Sequence, residues 1–450
     1  MKMNKILFAF LVVFAIIIAG CSQPPEQTPV ATISPQPEAV STQPAANKEP
    51  VTLEWWVVPD GNHSEATLRG LAAEFEKTHA NIKINVLPNP ESGYNDKMST
   101  ALGAGSGAPD VAIFWDNNWL TQTLPLDEFI KRDEIDSSIY FEGAWNNFAE
   151  YNGKILGLPL GYSSNFLMYN KDVFDAKKVE YPTWDITASQ YVDLISKLAD
   201  PESKTFGGDT PRGPYRAIYQ NFGAFPYSDD SKKVEGYLNS DASVKAYEWL
   251  WDVVNTKAAP TPTDLKTLSQ QGTGPVDLFY AGKLAMVTTS PAYMLKAHEQ
   301  GIKFGIVPEP GVEGNHRYAH AFSLTASIWK GTKHPEEAWE FLKFYAGPEG
   351  QKYLMENGNF LPSVKSLYQD HPLFKEEFLQ TFYKILELPS SYTWANDHLC
   401  FRGAVINAIS DAWDRILIND ISREEIKPLI DSLVPSAQAA LDECVPRLGN

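Results

Sequence analysis

The pattern of apolar and polar positions predicts alternating strands and helices from residue 51 onward. Residues 52–58 are β-branched and aromatic, which is typical of a buried strand. Ser64 stands just before an apolar stripe with helical spacing, so we expect it to cap a helix. Residues 82–86 then alternate apolar and polar, as in a half-buried strand. The helical stripe consists of Leu68, Leu71, Ala72 and Phe75.

The alternation continues through a third strand and predicts a parallel sheet. Residues 94–102 are predicted to be helical, residues 103–107 are rich in glycine, and residues 111–114 form a strand. Strands joined through helices favour right-handed crossovers, and ligands bind beyond the carboxyl ends of such strands. The polar and aromatic residues predicted at those ends are Asp60, Asn62, Asp116, Asn117 and Trp119.

The rest of the chain repeats this alternation and then becomes mainly helical after residue 347. A chain of 450 residues is long enough for two lobes, because single cores rarely grow beyond about 250–300 residues. We therefore expect an α/β fold. The further predicted elements are an extended segment at 157–169, helices at 190–198, 240–254 and 335–346, and strands at 284–288, 303–307 and 321–328.

The N-terminus has the pattern of an export signal. Lys2 and Lys5 precede a run of about fourteen apolar residues. A helix that spans a bilayer needs about twenty, so this run is too short to be one. The run ends in Ile-Ala-Gly-Cys at 18–21, which resembles the lipobox of bacterial lipoproteins and implies cleavage before Cys21 and acylation of Cys21. The alternative is a signal peptide with an incidental cysteine. Residues 1–20 are thus a predicted signal peptide, and the proline-rich residues 21–50 a predicted disordered tether.

Composition narrows the possible partners. The formal net charge of −18 disfavours nucleic acid and anionic membranes as binding partners. Cys400 and Cys444 remain as an even pair in an exported chain, and a disulfide or two separate buried thiols both stay open. Eight scattered histidines argue against a metal site, although His316 and His320 are four residues apart. We expect no cofactor and no metal.

Four stretches of the chain form a specific pattern through their order and spacing. They are LGAGSGAPDVAIF at 102–114, GKILGLPLGYSSNFLMYNKDVF at 153–174, FYAGKLAMVTTSPAYM at 279–294 and HPEEAWEFLKFYAGPEGQKYLMENGNFLP at 334–362. Together they resemble the bacterial extracellular solute-binding proteins of ABC importers, and within them the large carbohydrate-binding group that includes the maltose-binding protein. The chain departs from the family where Ala319-His320 and Gly223-Ala224 stand near usual Gly-Gly pairs.

The resemblance implies a two-lobed, hinged type II periplasmic-binding-protein-like fold with a mainly helical C-terminal region. One lobe would comprise residues 51–160 and 291–335, and the other residues 161–290 and 336–450. The protein would be a monomeric, lipid-anchored, extracytoplasmic receptor rather than an enzyme. It would close around a mono- or oligosaccharide and deliver it to the transmembrane subunits of an ABC permease.

Sugars need hydrogen-bonding groups for their hydroxyls and flat apolar platforms for their ring faces. Asp60, Asn62 and Asp116 are candidate hydroxyl partners, and Trp119 and Tyr162 are candidate platforms. Asp116 is alternatively a turn residue, Trp119 alternatively packs at a lobe edge, and Tyr162 alternatively belongs to a half-buried strand. The resemblance adds Asn165, Phe222, Phe225, Ser290 and Tyr293 as candidates near the crossovers, and His320 as a hydrogen-bonding residue in place of a usual glycine. Trp394 is a further candidate, because it lies in a polar and aromatic loop that is expected to cover the cleft.

Three other functions are considered. An exported glycoside hydrolase would need two carboxylates flanking a sugar bond, and no segment resembles a hydrolase signature. A metal receptor would need a cluster of ligands. The same fold could instead bind a polyamine, an amino-acid derivative or a phosphorylated polyol, although a phosphate would call for clustered Arg or Lys at the strand ends.

Overall fold

Two β-sheets organise the protein. The computed structural model describes residues 50–60, 63–114, 117–151, 153–210, 217–228, 232–268, 274–358, 361–390 and 406–444. Within them, one sheet has five strands in the order β2-β1-β3-β10-β6, one has three in the order β8-β7-β9, and β4 and β5 pair as a small ribbon. The strands are β1 (Val51–Val57), β2 (Ile82–Pro88), β3 (Val111–Ile113), β4 (Glu150–Tyr151), β5 (Lys154–Ile155), β6 (Leu158–Ser164), β7 (Phe166–Asn170), β8 (Met286–Thr289), β9 (Phe304–Val307) and β10 (Ala321–Ile328).

Helices cover both sheets. Short 3-10 turns occur at Asn117–Gln122, Ser137–Ile139 and Arg423–Glu425. The α-helices are α1 (Glu65–Thr78), α2 (Tyr94–Ala104), α3 (Asp127–Arg132), α4 (Glu142–Phe148), α5 (Lys171–Lys177), α6 (Ala188–Leu198), α7 (Ala217–Asn221), α8 (Asp241–Asn255), α9 (Pro262–Leu268), α10 (Pro275–Tyr280), α11 (Pro291–Glu299), α12 (Pro335–Ala346), α13 (Pro348–Asn357), α14 (Leu367–Asp370), α15 (Glu377–Leu386), α16 (Ile406–Leu417) and α17 (Ile426–Cys444).

The first part of the five-stranded sheet confirms the predicted strand–helix alternation. β1 pairs in parallel with both β2 and β3. Ser64 caps α1 as expected, because its hydroxyl accepts a hydrogen bond from the Thr67 amide at 3.1 Å. Trp55 of β1 is fully buried and meets Phe341 and Tyr345 edge-on at 5.0 and 4.9 Å. These rings join β1 to α12 and form the core of this sheet.

β10 lies between β3 and β6 and runs antiparallel to both. It belongs to the five-stranded sheet although more than 150 residues separate it from β6. Two connections close to each other link the two sheets. One runs from β6 to β7 through Asn165, and the other runs from β9 to β10 through residues 308–320. The Asn165 amide donates a hydrogen bond to the His320 carbonyl at 3.0 Å, so the two connections are tied to each other.

The assignment of chain segments to the sheets differs from the predicted boundaries. Those boundaries group residues 336–450 with the second lobe, whereas Trp339, Phe341 and Leu354 of α12 and α13 pack into the core of the five-stranded sheet. They also group residues 291–335 with the first lobe, whereas β9 pairs with β7 in the three-stranded sheet. The apolar stripe of α12 packs against β1, and this contact between segments far apart in the chain cannot be read from the local sequence.

The second core is largely helical, as predicted for the C-terminal region. Ser240 caps α8, and Tyr247 and Trp249 of α8 are buried in it. The α16 and α17 helices pack on α8 through residues such as Trp413, whose ring lies 5.7 Å from that of Tyr247. The fold is therefore α/β with two lobes, one built on each large sheet.

Candidate ligand-binding site

A cavity of about 160 Å³ lies where the two sheets meet. β6 and β10 contribute strand residues from the five-stranded sheet, and the start of α11 contributes residues that directly follow β8. Its described lining contains hydroxyls, one imidazole and one exposed ring, and none of the side chains is a carboxylate, an amine or a guanidinium. The lining residues are His63, Gly161, Tyr162, Ser163, Ser290, Pro291, Ala292, Leu295, Phe322, Leu324 and Leu361.

The register of β6 and β10 decides which side chains face the cavity. Phe322 lies opposite Ser163, and Ser323 lies opposite Tyr162. Because facing residues of an antiparallel pair share one side of the sheet, Phe322 and Ser163 lie on one side and Tyr162 and Ser323 on the other. Burial agrees, since Phe322 is 39% exposed while Tyr162 is fully buried.

Tyr162 therefore packs in the core, and its predicted role as a sugar platform does not fit this register. Its ring lies 5.5 Å from that of Phe141 in a cluster that also contains Tyr368. Burial raises the pKa of the Tyr162 phenol, and a hydrogen bond with Ser390 partly offsets that rise. Tyr162 is thus a buried residue of a largely buried strand, while Phe322 presents the exposed ring.

Asp60 lies three residues beyond Val57, the last residue of β1. Its carboxylate accepts the His63 amide at 2.6 Å and lies 3.2 Å from the His63 Nδ1. His63 lines the cavity, whereas Asp60 is exposed beside it. The Asp60 carboxylate thus helps to position His63, and His63 is a cavity residue that the sequence prediction missed.

The start of α11 brings Ser290 to the cavity. Ser290 occupies the N-cap position, followed by Pro291 at the first helical position. Tyr293 is half-buried, its carbonyl accepts the Tyr280 hydroxyl at 2.8 Å, and its ring packs with the core of the three-stranded sheet. The helix start therefore presents a hydroxyl at Ser290, and Tyr293 lies one turn deeper.

The connection before β10 contains His320, which is half-buried, with its ring centre 6.4 Å from that of Phe322. Asn165 is nearly buried and joins this connection to the β6–β7 link. Phe225 is 39% exposed and meets Tyr318 edge-on at 6.4 Å. Phe225 and Phe322 therefore expose their rings, whereas His320 is half-buried, and their roles in ligand binding stay predictions.

Trp119 packs inside the protein. It is 3% exposed, its indole N–H donates to the Ser99 hydroxyl at 3.0 Å, and its ring meets those of Tyr94 and Phe114 edge-on, each at 6.3 Å. This arrangement corresponds to the packing alternative for Trp119. A lone Trp in a polar stretch has the same local pattern in either role, so the sequence could not separate them.

Phe222 lies away from the cavity. It lines a separate open groove of about 740 Å³ between α6 and α8, where its ring lies 6.2 Å from that of Trp249. The two described linings share no residue. Phe225 belongs to neither lining.

The described lining of this cavity is neutral and bears hydroxyls, and it lies at the junction of the two sheets. Residues 60–352 match the family of bacterial extracellular solute-binding proteins. The chain belongs to this family. Among the relatives of this solute-binding protein, the arabinooligosaccharide-binding protein of Bacillus subtilis is 26% identical over 80% of each chain. The galactooligosaccharide-binding protein of the same organism is 24% identical over 71% of this chain and 75% of its own.

Solved structures confirm the fold of this solute-binding protein. The sugar-binding protein MalE from Xanthomonas citri superposes with a TM-score of 0.71 at 19% identity, over 87% of this chain and 98% of its own. An ABC substrate-binding protein from Listeria monocytogenes in complex with cycloalternan gives 0.68 at 23% identity, over 86% and 98%. These matches confirm the predicted two-lobed α/β fold.

Several predicted positions of this solute-binding protein lie outside the described residues: Cys21, Asn62, Asp116, Trp394 and Cys400. Asn117 lies in a 3-10 turn and Cys444 ends α17, and the side chains of both also lie outside the described part. Across the described ranges, no helix combines the length and the apolar character needed to cross a bilayer. The same ranges contain no cluster of three or more His, Cys, Asp or Glu side chains arranged for a metal ion.

Proposed function

We propose that the protein captures a neutral carbohydrate at the sheet junction. The observation that carries the proposal is the described cavity lining, in which the Ser163 and Ser290 hydroxyls and the His63 ring accompany the exposed face of Phe322. Hydroxyls and imidazole can donate and accept hydrogen bonds with sugar hydroxyls, while a flat ring packs against the CH groups of a sugar. No chemistry is required of these residues beyond binding.

The relatives support a carbohydrate as the cargo. Two of them are named for the arabino- and galactooligosaccharides that they bind, and a solved structure of similar fold contains cycloalternan. Those names describe the relatives, and the cargo of this chain is our inference from its own cavity together with them.

The main alternative is a polyol or its phosphate. Relatives named for erythritol and L-threitol and for sn-glycerol-3-phosphate support it. A phosphate is best bound by Arg, Lys or a cluster of backbone amides, and the described cavity lining contains neither Arg nor Lys. The lining therefore favours a neutral ligand over a phosphate or a polyamine.

The remaining steps of the proposal rest on the family. Two lobes joined by connections at Asn165 and at residues 308–320 would close around the ligand, and the closed form would deliver it to an ABC importer. Acylation of Cys21 would anchor the protein outside the cytoplasm. The proposed contacts are Asp60, Ser163, Asn165, Phe225, Ser290, His320 and Phe322 among described residues, with Asn62, Asp116, Asn117 and Trp394 as predictions from the sequence.

A thermal-shift screen of the full chain tests this proposal. Pentoses, hexoses, their oligomers, erythritol, glycerol 3-phosphate and spermidine are added separately, and a ligand that binds only the native form raises the melting temperature. We expect the largest shift from a saccharide. A shift only with glycerol 3-phosphate or spermidine would contradict the proposal. Recovery of a shortened sugar after incubation would instead indicate a hydrolase.

A further inference from the structure

A buried asparagine fastens the connection between β9 and β10 to the second lobe, which is built on the three-stranded sheet. Asn221 ends α7 and is fully buried. Its side-chain nitrogen donates to the Pro310 carbonyl at 2.9 Å, and its side-chain oxygen accepts the Tyr318 amide at 2.7 Å. The Asn221 carbonyl accepts a further hydrogen bond from the Asn315 side chain at 2.9 Å. One residue therefore holds both ends of the stretch 310–318.

Arg317 holds the same connection at a second point. Its guanidinium donates to the Glu309 carbonyl at 2.7 Å and to the Ile186 carbonyl at 2.8 Å. The group lies directly against Gly311, where a Cβ would be only 2.6 Å from a guanidinium nitrogen. Because the guanidinium is planar and its donors have fixed directions, these two bonds fix the connection against the start of α6.

Backbone hydrogen bonds complete the attachment to α6. The Gly311 amide donates to the Ile186 carbonyl at 2.9 Å, and the Ala188 amide donates to the Gly311 carbonyl at 2.7 Å. Ile186 and Ala188 are buried in the helical core of the second lobe, and Val312 packs against that core. Residues 309–318 are thus attached to both α6 and α7, and we call them the clamped segment.

The backbone turns sharply just after the clamped segment. The Ala321 amide donates to the Ala319 carbonyl at 2.9 Å, which is the hydrogen bond of a three-residue turn centred on His320. The Ala319 amide is itself bonded to the Pro389 carbonyl at 2.9 Å. Ala321 is already the first residue of β10 and pairs with Ser164 of β6. The chain therefore enters the five-stranded sheet within this one turn.

The neighbouring connection is equally short. Asn165 alone separates β6 from β7, and its amide donates to the His320 carbonyl at 3.0 Å. A change in the angle between two lobes is absorbed by a few residues at the ends of elements. Asn165 and the turn around His320 are such positions, whereas the clamped segment is held by the hydrogen bonds of Asn221 and Arg317.

We propose that the clamped segment moves as part of the second lobe and that this connection bends only at the turn around His320. Asn221 is then the positioning residue that confines the bend to that turn. The inference rests on the lobe movement that the proposed function requires, and it does not depend on which ligand is bound. It also assigns Phe225 to the moving body, because the Phe225 ring meets that of Tyr318 edge-on at 6.4 Å.

Distance measurements by electron paramagnetic resonance test this inference in the full chain, without ligand and with each sugar of the thermal-shift screen. Spin labels are attached in pairs through a ketone-bearing amino acid, which leaves the native cysteines unchanged. The labelled positions are all exposed: Lys77 of α1, Lys197 of α6 and Glu313 of the clamped segment. We expect a narrow and constant distance between Glu313 and Lys197. Both pairs with Lys77 should be broader or should shift when a sugar binds.

Asn221→Ala should broaden the distribution between Glu313 and Lys197 toward the width that either position shows with Lys77. The reason is that this change removes both side-chain hydrogen bonds from Asn221 to the clamped segment. Asn315→Ala removes only the bond to the Asn221 carbonyl, from an exposed position. It should therefore fold normally and cause a smaller broadening.

Gln351→Ala is the matched control for the loss of a buried amide. Gln351 lies in the first lobe, is fully buried, donates to the Pro159 carbonyl at 3.0 Å and accepts the Ser363 amide at 2.8 Å. Its replacement should lower the melting temperature, as Asn221→Ala should. It should leave the distribution between Glu313 and Lys197 narrow, so the broadening reports on the clamp and not on lost stability.

Two outcomes would overturn the inference and leave the proposed function intact. One is a distance between Glu313 and Lys197 that varies as much as that between Lys77 and Lys197, and the other is an Asn221→Ala variant that keeps it narrow. The pair of Lys77 and Lys197 reports on lobe movement itself. A narrow distribution for that pair, unchanged by every sugar, would contradict lobe movement, and the inference would fall with it.

Discussion

Phe322 and Ser163 face each other across the β10–β6 pair, on the side of the sheet that lines the cavity. Their neighbours Ser323 and Tyr162 face each other on the opposite, buried side. This single register gives two serines in adjoining strands with different surroundings. It allows the ligand-binding face to be tested against the core face with substitutions of the same size.

Ser163→Ala should lower sugar affinity by about threefold to tenfold, because it removes one hydrogen bond worth about 0.5–1.5 kcal/mol. Its melting temperature should stay close to that of the wild type. Ser323→Ala should instead lower the melting temperature and leave sugar affinity unchanged, because the Ser323 hydroxyl donates a hydrogen bond to the Gly161 carbonyl at 2.8 Å inside the sheet. Calorimetry and thermal melts of both variants check this, and a loss of affinity in Ser323→Ala alone would contradict the assignment of faces.

Trp119→Ala should destabilise the protein by about 3–5 kcal/mol, the range for removing a large buried aromatic side chain. The reason is its position against Tyr94 and Phe114, with its indole bonded to Ser99. Trp119→Phe should recover part of the loss. Chemical denaturation measures both, and a Trp119→Ala variant with wild-type stability but lost sugar affinity would restore the platform role.

The first half of the five-stranded sheet could be predicted because its signals are local. Ser64 precedes a helical stripe, and the strands on either side carry clear periodicity. The position of β10 could not be predicted in this way, since its partners β3 and β6 are far away in sequence and both of its edges are paired. For the same reason the predicted boundaries separated α12 from β1, although Trp55 contacts Phe341.

The candidate site was only partly predictable. A strand that is buried on both faces lacks the alternation of apolar and polar residues that would show which side chains point toward the ligand. β6 is buried along nearly all its length, so Tyr162 and Ser163 could not be assigned to faces without the register. The alternation of Tyr318, His320 and Phe322 with small residues was visible in the sequence and could have identified Phe322. His63 could not be identified from the sequence, because the hydrogen bond from its amide to the Asp60 carboxylate depends on the folded structure.

Asp133 gives a prediction about pH. Its carboxylate accepts hydrogen bonds from Arg132, Lys343 and Trp339 at 2.8, 2.7 and 2.8 Å, and these interactions, with Arg132 the largest cause, hold its pKa well below the usual range. A carboxyl with a lowered folded-state pKa stabilises the protein fully above its unfolded pKa of about 4 and loses that effect as the pH falls further.

Asp133→Asn should therefore lower the free energy of unfolding by about 1–2 kcal/mol at pH 7. The difference from the wild type should stay constant between pH 5 and 8 and should shrink below about pH 4. Glu336→Gln is the control, because Glu336 pairs with the same Arg132 in an exposed position and should cost little. Denaturation curves at several pH values measure the difference in free energy of unfolding between Asp133→Asn and the wild type. A difference that grows as the pH falls would contradict the prediction.

Cys21→Ser tests the proposed lipid anchor in a bacterial host that processes lipoproteins. The wild-type protein should partition with the membrane fraction and into detergent, and its mass should include acyl chains. The variant cannot form the thioether, so it should lose both properties. A wild-type protein released without lipid would favour the incidental-cysteine alternative.

Calorimetric titration of the full chain with pentoses, hexoses and their oligomers, combined with mass spectrometry of the recovered ligand, tests the central claim most directly. The account predicts saturable binding of one neutral carbohydrate per chain, return of that sugar uncut, and weaker binding in Phe322→Ala at an unchanged melting temperature. Binding of a saccharide with full affinity by Phe322→Ala, or no binding of any saccharide, would contradict it.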